Sequence, residues 1–75
     1  MKNYNADIGA FLANKRKAMG LTQADIAFAL GVSKVTIHYW ETGKRTIDAN
    51  TMFAYCDLLN IQPQDLVTAV TKEKG

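Results

Sequence analysis

Local signals between Thr22 and Gly43 constrain the fold more than any other feature of the sequence. Thr22 stands three residues before Asp25, a pattern close to the capping box that starts a helix. Gly31 suits the left-handed residue that follows a helix, and Ser33 is a good N-cap for the next helix. Gly43 then ends that second helix. The segment therefore predicts two short helices joined by a tight turn.

The chain before this segment predicts one further helix, from Asn5 to Met19. Asn5 suits the N-cap position, Asp7 lies in the first turn, and Gly20 ends the helix. Helical spacing places its apolar residues near one side, and these are Ile8, Phe11, Leu12 and Met19.

The second half of the chain predicts two more helices. Asp48 is a good N-cap for the fourth helix, Asn60 is a suitable stop, and Pro63 fits the first turn of the fifth helix. The expected apolar stripes are Met52, Phe53, Tyr55, Cys56 and Leu59 in the fourth helix, and Leu66, Val67 and Val70 in the fifth. Together these signals predict an all-α fold of five helices, with residues 1–75 forming one domain and its core at about 5–70.

Length and composition narrow the classes of function. A chain of 75 residues with 48% apolar content supports one small core and leaves little for a substrate pocket, so we expect no enzyme. One cysteine and one histidine provide neither a disulfide nor a zinc site, so we expect no metal and no cofactor. There is no apolar run of roughly 18 residues and no apolar leader, so we expect a cytoplasmic protein without a membrane segment.

The net charge of +2 is too small to identify a nucleic-acid-binding protein, but the distribution of charge is more informative. Basic residues cluster at 15–17, at Lys34 and at 44–45, whereas several acidic residues fall in the second half. We therefore expect one end of the molecule to be positive.

Two short helices joined by a glycine turn also have the geometry of a helix-turn-helix, whose second helix enters the major groove of DNA. The segment resembles the Cro and lambda-repressor-like family of Xre-type transcription regulators. The matching residues are Leu21-Thr22-Gln23, Ala27, Leu30-Gly31-Val32-Ser33, Thr36-Ile37 and Trp40-Glu41-x-Gly43-Lys44. The likeness extends from about Ile8 to Leu66 and implies a five-helix DNA-binding domain with its helix-turn-helix at about 22–42. Lys15, where the family usually has an aliphatic residue, and segment 46–48, which lacks a proline, depart from the pattern.

A helical wheel separates two sides of the helix predicted from about residue 34 to residue 41. Lys34, Val35, His38 and Tyr39 fall within an arc of roughly 140°, while Ile37 points to the other side. The resemblance implies base contacts for Lys34, Val35 and Tyr39, and a weaker one for His38. Lysine donates to guanine O6 and N7, valine contacts a thymine methyl, and tyrosine either packs on a base edge or hydrogen-bonds a phosphate. For Val35 a partly buried core position is the alternative, and for Lys34 and His38 an ordinary solvated surface.

The residues expected to contact phosphate flank that outward side. The resemblance assigns Gln23, at the start of the second helix, to a phosphate. Ser33 and Thr36 are expected to add neutral contacts, although Ser33 has the alternative of being only a cap. Lys44 and Arg45 follow the helix and are expected to supply salt-dependent affinity.

The family also commonly pairs an arginine late in its first helix with the glutamate that ends the recognition helix. The resemblance therefore implies a structural ion pair between Arg16 and Glu41, which would fix the tilt of that helix. Trp40 is expected in the core, with its indole N–H within reach of a phosphate, and Cys56 is expected to serve packing alone.

These features predict a sequence-specific DNA-binding regulator, expected to be a repressor, that binds double-stranded DNA with a palindromic operator as a homodimer. Ile61, Val67 and Val70 are candidate dimer contacts, with the domain's own core as the alternative. The second class of function is a protein-interaction module with the same fold, such as an antitoxin with a protein partner.

Overall fold

The computed structural model describes residues 3–72 and folds them into five helices. Their bounds are α1 Asn5–Ala18, α2 Gln23–Leu30, α3 Lys34–Glu41, α4 Ala49–Leu58 and α5 Pro63–Thr71. The described residues contain no strand. The expected all-α fold of five helices is confirmed, and none of the helices in residues 3–72 has the length and apolar character to span a bilayer.

Side-chain caps start three of the helices where the sequence predicts them. Thr22 Oγ1 accepts from Asp25 N at 3.0 Å and Asp25 Oδ2 accepts from Thr22 N at 2.8 Å, which completes a capping box. Ser33 Oγ accepts from Thr36 N at 3.1 Å, and Asp48 caps α4 in the same way. These hydrogen bonds hold the pKa of Asp25 and of Asp48 below their ordinary values.

The turn after α2 and the end of α4 depend on left-handed backbone. Gly31 has φ of 70° and follows α2, so it forms the predicted turn into α3. Asn60 has φ of 54° just after α4, as expected for a residue type that tolerates this conformation. Both turns keep consecutive helices close enough to share one core.

One core lies between the five helices. Its buried apolar members are Leu12, Ile26, Ala27, Ile37, Tyr55, Cys56, Leu59 and Leu66. α3 packs against α1 and α2, while α5 packs against α1 and α4 packs against α2. The inward side of α3 is therefore held from two directions.

The predicted N-cap of α1 is wrong. Asn5 is the first residue of the helix and Tyr4 occupies the cap position. The side chain of Asn3 supplies the acceptor instead, because its Oδ1 receives the N–H of Asn5 at 2.8 Å. The Asn5 side chain reaches Thr46 and donates from Nδ2 to Oγ1 at 2.8 Å. This hydrogen bond joins the start of α1 to the loop after α3.

Three residues predicted on apolar stripes are half exposed. Met19 is the C-cap of α1 and is 50% exposed, while Phe53 on α4 is 51% exposed and Val67 on α5 is 46% exposed. The stripes predicted from spacing are broader than the surface that one small core covers. The residues at the margins of the stripes consequently face outward.

Candidate nucleic-acid interface

The outward side of α3 carries the four residues that the sequence predicts as base contacts. Lys34, Val35 and His38 are exposed, Tyr39 is partly exposed, and Ile37 is completely buried. Val35 is 57% exposed, so it lies on the outward side and not in the core. Because Ile37 anchors the helix, these four side chains project from a fixed backbone.

The amino end of α3 is fixed by one local cap. The hydroxyls of Ser33 and Thr36 lie 2.9 Å apart and are hydrogen-bonded to each other, in addition to the backbone bond of the cap. Ser33 is exposed and Thr36 is half buried. Both hydroxyl groups are thus placed beside the outward side, and the serine also serves as the predicted cap.

The carboxyl end of α3 is fixed by a buried ion pair between Arg16 of α1 and Glu41. Arg16 Nε donates to Glu41 Oε2 at 2.8 Å, and Arg16 Nη2 donates to Oε1 at 2.9 Å, so the pair is bidentate. Arg16 is 6% exposed and Glu41 8%. The third guanidinium nitrogen donates to the carbonyl oxygen of Leu21 at 2.7 Å.

Two further side chains reach the same carboxylate from two other helices. Gln23 Nε2 on α2 donates to Glu41 Oε1 at 3.0 Å, and Tyr55 Oη on α4 donates to Glu41 Oε2 at 2.5 Å. With Arg16, this makes α1, α2 and α4 converge on the last residue of α3. The described residues contain no buried side-chain nitrogen or oxygen without a partner.

The electrostatics of this cluster keep the ion pair charged. Burial alone raises the pKa of the Glu41 carboxyl, but hydrogen bonds from Arg16, Gln23 and Tyr55 outweigh it and leave that pKa below its ordinary value. The hydrogen bond with Glu41 raises the pKa of Arg16. Burial and the bond to Glu41 raise the pKa of the Tyr55 hydroxyl. At neutral pH the arginine and glutamate are therefore ionised and the tyrosine is a neutral donor.

A close backbone contact reinforces the same end of α3. A Cβ atom added to Gly9 on α1 would lie 2.6 Å from the carbonyl oxygen of Glu41 and would also collide with that of Trp40. A Cβ atom added to Gly43, whose φ is 79°, would likewise lie 2.7 Å from the Cα atom of Ala6. Helix α1 and the end of α3 therefore touch through their backbones, which only a glycine at position 9 allows.

The loop after α3 brings two cations next to Tyr39. Lys44 Nζ lies 5.9 Å and Arg45 Cζ lies 5.2 Å from the centroid of the Tyr39 ring. Both residues are exposed. The two positive charges therefore stand at one edge of the outward side of α3.

The comparison with protein families decides how this arrangement is classified. A family model described as helix-turn-helix matches residues 12–66, which is most of the chain. This chain belongs to the Cro and lambda-repressor-like helix-turn-helix family. A search of curated proteins finds no match. The helix-turn-helix consists of α2 and α3, and the family is one of DNA-binding regulatory domains.

Membership in the helix-turn-helix family makes α3 the recognition helix. Lys44 and Arg45 lie beside Tyr39 on its outward side. The structure brings Gln23 to Glu41, so one amide hydrogen of Gln23 is used inside the protein. The other hydrogen and the amide oxygen remain for an outside partner.

Sequence reasoning missed two residues that hold the recognition helix. Tyr55 was predicted as an apolar stripe residue, although a buried tyrosine hydroxyl usually requires a partner. Gly9 received no prediction, although a glycine inside a helix often marks a close backbone approach. Both signals were present in the sequence, but their partners come from other helices.

Proposed function

We propose that this protein is a transcriptional repressor that binds a palindromic operator as a homodimer, with the recognition helix of each copy in the major groove. The observation that carries the proposal is the two-sided recognition helix: Ile37 is fully buried while Lys34, Val35 and His38 face outward. A rigid helix with a free side is what discrimination between base edges requires.

The outward side chains differ in what they read. Lys34 donates to O6 and N7 of a guanine, and Val35 contacts the methyl group of a thymine. His38 and Tyr39 lie one turn further along and contact the adjacent base edges. All four contacts lie on one strip of the helix, so one copy reads a short half-site.

The phosphate contacts surround this strip. Gln23 presents its remaining amide hydrogen and the start of α2 to one phosphate. Ser33 and Thr36 offer hydroxyl groups next to it. Lys44 and Arg45 neutralise phosphates on the other flank, and each phosphate neutralised adds about 0.9 to the magnitude of the salt slope.

A homodimer follows from the small size of one half-site, since two half-sites about 34–36 Å apart restore specificity. An exposed surface next to α4 and α5 favours dimerisation. A groove there is lined by the apolar residues Phe53, Ala54, Ile61 and Pro63 and by the polar residues Asn50, Asp57, Asn60 and Gln62, and Val67 is half exposed on α5. Ile61 and Val70 are partly buried against the domain's own core, so Phe53 and Val67 offer more surface for a second copy.

Selection of preferred sites from random duplexes tests the proposal. We expect two inverted half-sites about one helical turn apart. Binding measured over a range of salt concentrations should weaken steeply as salt rises. In a purified transcription reaction, placing the selected site over a promoter should lower transcript yield in proportion to occupancy. A single unrepeated site would contradict the homodimer, and unchanged or increased transcription would contradict repression.

A second candidate is a protein-interaction module such as an antitoxin. Phe28 on α2 is 91% exposed and lies outside the outward side of α3, so it is available for an additional protein contact. A flat salt response with no preferred site would support this function over DNA regulation.

A further inference from the structure

Tyr39 makes two kinds of contact with the loop that follows the recognition helix. Its ring lies under the charged ends of Lys44 and Arg45, at centroid distances of 5.9 Å and 5.2 Å. Its carbonyl oxygen accepts the backbone N–H of Lys44 at 2.9 Å and that of Arg45 at 3.3 Å. One residue therefore orders both the backbone and the charged ends of the two cations.

The backbone part of this arrangement is anchored on the helix. Thr42 closes α3 by donating from Oγ1 to the carbonyl oxygen of His38 at 2.8 Å. The chain then folds back over the last turn, which brings residues 44 and 45 to the outward side. The two cations consequently reach the ring of Tyr39 rather than extending into solvent.

The charged ends of Lys44 and Arg45 lie against an aromatic ring and not against a carboxylate, which is the usual partner of a cation. Within residues 3–72, neither Lys44 nor Arg45 is ion-paired with an acidic side chain. A ring face attracts a cation but leaves its hydrogen-bond donors unsatisfied by protein oxygen. Both cations therefore keep their donors available while their long side chains are already partly ordered.

We propose that Tyr39 is a positioning residue for the phosphate contacts, and that its ring pre-orders Lys44 and Arg45 for the DNA backbone. The inference rests on the proposed function, because it concerns the same cations and the same ligand. Ordering flexible side chains opposes binding, and a partner that orders them beforehand lowers that cost. Tyr39 then acts on every DNA sequence, in addition to its predicted contact with a base.

The ring and the hydroxyl are separable by substitution. Tyr39→Phe keeps the aromatic face and removes the hydroxyl, whereas Tyr39→Leu removes the face. We expect Tyr39→Leu to weaken binding to a random-sequence duplex about fivefold, and Tyr39→Phe to stay within about twofold of the wild type. In an Arg45→Ala background, Tyr39→Leu should lower the logarithm of the affinity for the random duplex by only about half as much.

Two measurements test the proposal. NMR of the free protein should show the side-chain protons of Lys44 and Arg45 shifted by the ring in the wild type and in Tyr39→Phe, but not in Tyr39→Leu. This measurement does not depend on DNA, and thermal unfolding of each variant reports folding. Fluorescence anisotropy with the random duplex then supplies the affinities.

Each result supports or overturns the inference. Equal losses in Tyr39→Phe and Tyr39→Leu would show a direct hydroxyl contact and overturn the positioning role. An undiminished effect of Tyr39→Leu in the Arg45→Ala background would overturn it as well, as would absent ring shifts in the wild type. If the wild type binds no duplex, the proposed function is refuted. If the wild type and Tyr39→Leu bind the random duplex with equal affinity, only the positioning role is refuted.

Discussion

At its carboxyl end the recognition helix is held by three side chains and a backbone contact, whereas at its amino end a single serine cap holds it. Glu41 receives hydrogen bonds from Arg16, Gln23 and Tyr55, and Gly9 packs against the adjacent backbone. Ser33 bonds only within its own turn and stays exposed. The contrast is between an end that side chains of other helices fix on the domain and an end whose exposed cap we propose as a phosphate contact. Substitutions at the two ends should therefore affect stability and DNA binding differently.

Loss of the buried ion pair should have the largest effect. Arg16→Met leaves Glu41 buried without its opposite charge, which should lower the free energy of unfolding by about 3–5 kcal/mol. Urea denaturation measures the change. Lys17→Met is the matched control, because Lys17 is exposed on the same helix, and it should change the value by less than about 0.5 kcal/mol. Similar small effects of both variants would mean that the ion pair does not fix this end.

A side chain at the close contact between α1 and α3 should have the next largest effect. Gly9→Ala places a Cβ against two backbone carbonyls that cannot rotate away, and we expect a loss of about 3 kcal/mol. Gly20→Ala is the comparison, since its Cβ would meet no atom within 4 Å but its φ is 72°. The strain of alanine in this left-handed conformation should lower the free energy of unfolding by roughly 1–2 kcal/mol. Thermal unfolding that shows the reverse order would contradict the close contact.

Acid should lower the free energy of unfolding by neutralising Glu41 at the carboxyl end of α3. The pKa of Glu41 is lowered in the folded protein, so its contribution is present above the ordinary value of 4.5 and is lost as pH falls through the lowered value. The free energy of unfolding should be level from pH 7 to about pH 5 and should then decrease. Urea midpoints across this range measure it. Glu41→Gln should show a shallower decrease, with Asp25 and Asp48 causing the rest. An unchanged slope in Glu41→Gln would contradict the role of this carboxylate.

Substitution of the serine cap should have the smallest effect on stability. Ser33→Ala removes an N-cap and should cost about 1 kcal/mol. Ser33→Asp keeps an acceptor for the Thr36 N–H and should retain stability, but its charge should weaken DNA binding by repelling phosphate. Paired unfolding and binding measurements separate the two roles. Wild-type affinity in Ser33→Asp would show that the serine is a cap and no phosphate contact.

The local part of this structure was predictable from the sequence. The caps at Thr22, Ser33 and Asp48 and the turn at Gly31 depend on residues a few positions apart, so their signals lie within one segment. The amino end of α1 is the exception, because the side chain that accepts a backbone N–H there belongs to Asn3 and not to Asn5. The five-helix fold then follows from the order of these signals.

The contacts between helices were predictable only from the family resemblance, and some of them were not predictable at all. The resemblance implies the partnership of Arg16 with Glu41, whereas helical spacing predicts Tyr55 only as an apolar residue of α4. Nothing near Gly9 in the sequence names the helix that approaches it. The exposure of Phe53 likewise depends on how much surface one core can cover, which helical periodicity does not specify.

The affinity of Lys34→Ala for a selected operator and for a random duplex tests the central claim most directly. The account predicts that this substitution leaves the free energy of unfolding unchanged, because Lys34 is exposed, and lowers the preference for the operator by about 1–3 kcal/mol. Arg45→Ala should instead weaken both duplexes equally and reduce the salt slope by about one unit. If Lys34→Ala weakens both duplexes to the same extent, the outward side of the recognition helix does not read bases and the account is contradicted.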